Sequence, residues 1–204
     1  MSPQAPGDAV PASDALAPPS PARVKVWDPV VRLFHWTLAL GCIANLTVLR
    51  ELKSVHRSVG YVVLAAVAIR LVWGFIGTRH ARFSDFTPGP RRLLAYLVAL
   101  SRGREPRYVG HNPAGAVMML ALMGLVVICG VTGWMMGLDA FWGEPRLEAL
   151  HEGAANVILI MAIAHVLAAL VESWRHRENL VLSMINGFKR APKGSDVRHA
   201  PAAD

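Results

Sequence analysis

Four long apolar runs separated by polar and basic stretches dominate the chain. They are LFHWTLALGCIANLTVL from about residue 33 to 49, VGYVVLAAVAIRLVWGFI from about 59 to 76, AGAVMMLALMGLVVICGVTGWMM from about 114 to 136, and GAANVILIMAIAHVLAALV from 153 to 171. None has an internal proline, and none keeps the polar stripe of a helix in a soluble bundle. Each is near the roughly 20 residues that cross a hydrocarbon core of about 30 Å. The pattern predicts an all-α, multi-pass membrane protein of four transmembrane helices. Between the second and third runs, PGPRRLLAYLVALSRG places Leu93, Leu94, Leu97 and Leu100 as a short helix lying at the membrane interface. Residues 1–22 are rich in Ala and Pro and lack the basic start and apolar core of a signal peptide. They and residues 191–204 read as disordered, solvated tails around one membrane domain, residues 23–190.

Composition agrees with the pattern. Of 204 residues, 53% are hydrophobic and 17% charged, with a mean hydropathy of +0.37, too apolar for an ordinary soluble domain. The charges then give an orientation. Sixteen Lys and Arg residues lie before the first run, between the second and third, and after the fourth. The other side carries Arg50, Lys53, Arg57 and Arg146. The positive-inside rule therefore puts both termini and the long loop in the cytoplasm. This topology accounts for the net charge of +7, and no nucleic-acid partner is needed to explain it. Trp36, Trp73, Trp134 and Trp174, near the ends of the runs, fit an aromatic belt.

The histidines carry the chemistry. His151 and His165 are fourteen residues apart, nearly four helical turns, so they share a face and lie about 21 Å apart along the axis. One falls near each leaflet. His35 opens the first run on the cytoplasmic side, and His56 opens the second on the outer side. Depths therefore match in two pairs, His56 with His151 outside and His35 with His165 inside. Arg70 lies fourteen residues after His56, at the depth of the inner pair. A cation there is costly and calls for a partner, either a carboxylate on a bound group or, by snorkelling, the interface. Arg57 is placed to serve the outer pair or to be solvated. His111, in GHNP, precedes a helix start at Asn112 and Pro113 and sits near the inner pair. His80, His176 and His199 fall in polar stretches and read as solvated.

Facing imidazoles in a membrane bundle narrow the choice of ligand. Zinc wants four ligands, and no carboxylates or thiolates accompany these histidines at their depths. Cys42 and Cys129 are isolated within runs, so neither a CxxCH haem attachment nor an iron–sulfur set is present. A b-type haem needs two axial ligands and an apolar slot between helices. Gly153, Ala154, Ala155, Ala162, Ala164, Ala168 and Ala169 of the fourth run are small enough to leave one.

The segments KVWDPVVRLFHW, HRSVGYVVLAAVAIRLVWGFIGTRHARFSDF, YVGHNPAGAVMML, the LHE and AH around the last two histidines, and ENLVLSMINGFK resemble the bacterial cytochrome b561 and nickel–iron hydrogenase b-type cytochrome family over about residues 24–190. The likeness is greatest to its small stand-alone members. The resemblance implies a four-helix bundle of the inner membrane holding two non-covalent b haems, ligated by His35 with His165 and by His56 with His151. It implies an electron carrier between the quinone pool, with ubiquinone as a possible substrate, and a periplasmic redox partner such as cytochrome c. Arg70 is then expected at a propionate of the inner haem and Arg57 near the outer one. Three alternatives stand beside it: a self-contained oxidoreductase passing electrons from superoxide to quinone, the b-type cytochrome subunit of a hydrogenase-like complex, and a haem-free membrane scaffold or transporter.

Overall fold

Asp28 starts the first long helix. Its side chain accepts a hydrogen bond from the Val31 amide at 2.9 Å, and Pro29 occupies the first turn, where no amide donor is missed. Helix α1 runs Pro29–Leu46, α2 Lys53–Ile76, α3 Phe83–Phe86, α4 Pro90–Ser101, α5 Pro113–Met135, α6 Pro145–Arg175 and α7 Leu180–Asn186. Two short strands, β1 (Arg23–Lys25) and β2 (Phe188–Arg190), complete the order in this computed structural model, which describes residues 22–198. Residues 1–21 and 199–204, which make up most of the two sequence-assigned tails and include His199, lie outside the described residues.

Four helices, α1, α2, α5 and α6, are long and apolar enough to cross a membrane. They run up and down, α1 packing on α2, α2 on α5 and α5 on α6. Both described chain ends and the α2–α5 connection therefore lie at one end of the bundle, here called the terminal end. Two of the helices begin well before the apolar runs that announce them. In α2, residues 53–58 add the turn that carries His56, and in α6, residues 145–152 add two turns. Polar residues such as Arg57, Arg146 and Glu148 mask these turns in a hydropathy reading, although as helix formers they suit the extension.

The interior is thin. Phe34, Val63, Val67, Met123, Val126 and Ile158 form its centre, while many large apolar side chains point outward, among them Phe75, Ile76 and Ile160. This inversion of a soluble protein is what lipid as solvent produces. Close helix approach comes from glycine. A Cβ on Gly41 of α1 would collide with Val63 of α2, and one on Gly130 of α5 would lie 2.9 Å from Leu64.

A polar cap closes the terminal end. β1 and β2 pair antiparallel, Arg23 opposite Arg190 and Lys25 opposite Phe188. Tyr108 and Val197 form a parallel bridge, with the Val197 amide donating to Arg107 O at 2.8 Å. Residues 191–198 thus contribute contacts to the cap. Their composition is that of a linker, and their order comes from partners far away in sequence. Gly187, at φ +86°, ends α7 in the left-handed conformation, where a side chain would also press on Trp27 O. Under the cap, Val26, Trp27, Val31, Ala81 and Val109 make a second apolar cluster.

Candidate functional site

The four spanning helices bring the intramembrane histidines together in two pairs. His56 of α2 and His151 of α6 have ring centres 6.2 Å apart, tilted by 59°. His35 of α1 and His165 of α6 have centres 6.5 Å apart, tilted by 51°. An imidazole nitrogen lies about 1.1 Å from its ring centre, and a metal–imidazole bond is about 2.0 Å, so two imidazoles on opposite sides of one ion have centres roughly 6.2 Å apart. Both pairs meet this spacing.

Each pair also has nitrogen to spare. Nδ1 of His151 lies 2.9 Å from the carbonyl oxygen of Cys129 and 3.1 Å from Oγ1 of Thr132. A ring nitrogen donating to a carbonyl fixes the tautomer and leaves the other nitrogen as a ligand, the usual support for a metal-binding histidine. Gly133 makes room for the ring, since a Cβ there would come within 3.1 Å of His151 Cε1. Nδ1 of His35 and of His56 is buried with no hydrogen-bond partner among the described residues.

Cys129, expected to be isolated in its run, instead places its thiol 3.6 Å from Nδ1 of His151, and Thr132 and Gly133 escaped the sequence reading. Their only local signal was a threonine in an otherwise apolar helix. Of the small residues of α6, Ala154 is buried, and Gly153, Ala164 and Ala168 are exposed.

Arg70 stays inside the bundle. It is 1% exposed, with its guanidinium carbon 6.0 Å and 5.3 Å from the ring centres of Phe34 and Phe83. Both terminal nitrogens lack a hydrogen-bond partner among the described residues. The carboxylate of Asp28 is engaged elsewhere, accepting from Trp73 Nε1 at 3.0 Å, from Thr78 Oγ1 at 2.5 Å and from the Val31 amide. A buried cation without a counter-charge is expensive, so its place beside the terminal-end pair fits a group that brings its own carboxylate. Arg57 is instead exposed at the far end, beside Gly137.

Among the described residues, the remaining histidines pack into the cap and its surroundings. His111 lies between Trp27 and Phe86, ring centres 4.7 and 4.8 Å away, and burial pushes its pKa down to about 3, with Arg70 and Lys189 adding to the effect. It is therefore neutral. His80 lies 3.1 Å from Asp85 and His176 3.0 Å from Glu172, so both have a carboxylate neighbour rather than solvent alone. Ligand atoms of Glu105, Glu172 and His176 lie within 4.8 Å of one another. These groups are already matched, Glu105 by Arg175 at 2.7 Å and Glu172 by Tyr96 and Asn112 at 2.9 and 3.0 Å, which makes them part of the cap.

Comparison with known proteins adds an independent line. Residues 26–187 match the profile of the prokaryotic cytochrome b561 family. The chain is 26% identical over 212 residues to the "Probable Ni/Fe-hydrogenase B-type cytochrome subunit" of Rhodobacter capsulatus, covering 81% of both proteins. It is 25% identical to the protein of the same description from Bradyrhizobium diazoefficiens, covering 82% of this chain and 86% of the relative. It is 21% identical to the "Probable Ni/Fe-hydrogenase 1 B-type cytochrome subunit" of Escherichia coli K12, covering 80% and 89%. No solved structure matches the chain.

Proposed function

This chain belongs to the prokaryotic cytochrome b561 family, and from that premise we propose that it is a di-haem b-type cytochrome carrying electrons within the bacterial inner membrane. The observation that supports this reading best is the pair of imidazole separations, 6.5 Å for His35 and His165 and 6.2 Å for His56 and His151. One b haem is assigned to each pair, and a haem held there supplies a reversible one-electron couple. Ligation from both sides closes the iron, so oxygen chemistry at the metal is not part of the assignment.

The chain's own residues do three things for such groups. Cys129 O and Thr132 hold His151 in one orientation. The apolar walls, Phe34 and Val67 among them, keep water from the interior. Arg70 offers two buried donors to a propionate of the haem between His35 and His165, and its positive charge favours the reduced state of that site. Arg57, exposed, is left with at most a long-range effect on the other haem.

The expected partners are the quinone pool on one side of the reaction and a periplasmic redox protein on the other, cytochrome c being one such acceptor. The relatives favour a more specific form, in which the chain is the membrane cytochrome of a hydrogenase-like complex: those described above carry a hydrogenase-subunit description and align over at least four-fifths of each protein. Passage of electrons from superoxide to quinone is the competing activity.

A pyridine haemochrome assay against protein concentration tests the core of the proposal. About two extractable haems per chain are expected, with none retained on a denaturing gel; one haem, or a gel-stable haem, defeats it. Affinity purification from membranes then separates a free carrier from a complex subunit. Haem reduction by superoxide in the presence of quinone identifies the competing activity.

A further inference from the structure

Helix α4 leaves one face uncovered among the described residues. Arg91, Leu94, Val98 and Arg102 follow one another along it at three- and four-residue steps, and Ala95 and Arg104 join them in one open groove. That spacing stacks side chains on a single side of a helix. The opposite side is anchored, because Tyr96 is 4% exposed and donates to Glu172. On the uncovered side, Leu94 is 64% exposed and Val98 40%.

The charges on this face are also unmatched. Arg91, Arg102 and Arg104 are exposed and have no carboxylate partner among the described residues. The neighbouring cap is different: Arg107 pairs with Glu178 and Asp196, Arg175 with Glu105, and Lys189 with Glu178. In the cap, these three basic side chains each meet an acid. On α4 the fold supplies three guanidinium groups around an apolar strip and leaves the acid out.

We propose that this face binds an anionic phospholipid. The arginines hold its phosphate, and Leu94 and Val98 lie against the upper part of its acyl chains. Guanidinium matches phosphate through paired N–H donors. The location agrees, since α4 joins the ends of two spanning helices and so sits where they leave the hydrocarbon. A soluble phosphate or nucleotide has no use for the exposed leucine and valine between the cations, whereas a lipid uses both.

The test measures lipid retention by the haem-loaded full chain in detergent, with phosphatidylglycerol and phosphatidylcholine of identical acyl chains, by native mass spectrometry. Wild type should prefer phosphatidylglycerol roughly tenfold or more, and the preference should fall as ionic strength rises. R91Q/R102Q/R104Q should remove that preference, a loss of about tenfold or more, with the haem spectrum unchanged. L94Q/V98Q should weaken retention of both lipids. The proposal is overturned by equal retention of the two lipids, by a triple variant that binds like wild type, or by displacement of the lipid with inorganic phosphate at equal concentration. If the triple variant does not fold, the wild-type lipid preference and its salt dependence decide alone.

Discussion

Nδ1 of His151 lies 2.9 Å from the carbonyl oxygen of Cys129, on the neighbouring helix α5. That contact makes Nδ1 the donor and leaves Nε2, 3.7 Å from the Cys129 thiol, as the accepting nitrogen. A membrane interior offers an imidazole few partners other than backbone, so the carbonyl is both a support and a selector of tautomer.

Removing single ligands should separate the two sites. His151→Ala is expected to leave about one haem per chain, held by His35 and His165, and His165→Ala to leave about one held by His56 and His151. Optical and low-temperature EPR spectra of each variant read this directly. Two bis-histidine signals persisting in either variant would contradict the assignment.

Arg70→Gln should lower the reduction potential of the His35/His165 site and leave the other nearly unchanged, because a buried cation stabilises the state with one more negative charge. Loss of about 1 kcal/mol corresponds to roughly 40 mV for one electron. Redox titration of both sites decides the matter. Equal shifts, or none, would remove Arg70 from the terminal-end site.

Arg107 holds the cap together. It reaches Glu178 and Asp196 at 2.7 Å each, with side-chain exposures of 4%, 7% and 13%. Arg107→Ala leaves Glu178 only Lys189 at 3.8 Å and Asp196 only Arg190 at 3.5 Å as charged partners, and should cost about 1–3 kcal/mol of local stability. Hydrogen exchange over residues 186–197 should speed up accordingly. Arg107→Met combined with Glu178→Leu, Asp196→Asn and Lys189→Met should recover much of the loss, because Lys189 would otherwise lose its Glu178 partner. If the quadruple variant exchanges as fast as Arg107→Ala, unbalanced charge is not the cause.

Lys189 gives the cap a dependence on alkaline pH. Burial pushes its pKa from 10.5 down to about 8, with Glu178 pulling the other way. Between about pH 8 and 10.5 the folded side chain is neutral while the unfolded one still binds a proton, so this residue makes the cap more stable as pH rises through that window. Its neutral amine can still donate to Tyr108 O and Val109 O, 3.2 and 2.9 Å away. Protection of the cap amides, corrected for intrinsic exchange, should increase across the window in wild type, and the increase should vanish in Lys189→Met. An unchanged slope in the variant would point to another group.

Much of this architecture was legible in the amino-acid order. Apolar runs show where lipid is the solvent, and a fourteen-residue interval between His151 and His165 forces a shared face. Which imidazoles face each other followed from depth alone; what they hold is the proposal above. The cap was not legible. Arg107 meets Glu178 and Asp196 across 71 and 89 residues, and nothing local marks those partners. The extra turns of α6 were hidden for a different reason. Arg146, Glu148 and Glu152 are good helix formers but poor lipid-facing residues, so hydropathy ends the segment before the backbone does.

The pairing of Arg23 with Arg190 also sets an order of events during synthesis. The two strands are the first and last described elements, so β1 must wait, unpaired, while all four spanning helices are made. Closing so large a loop is entropically acceptable only once the intervening helices are docked, because the effective loop is then short. The cap therefore registers completion. A chain arrested before residue 190 leaves Arg107 without Glu178 or Asp196 in place, or with only one of them, and exposes the underside of Trp27 to water. Such a product carries its own mark of incompleteness at the terminal end of the bundle.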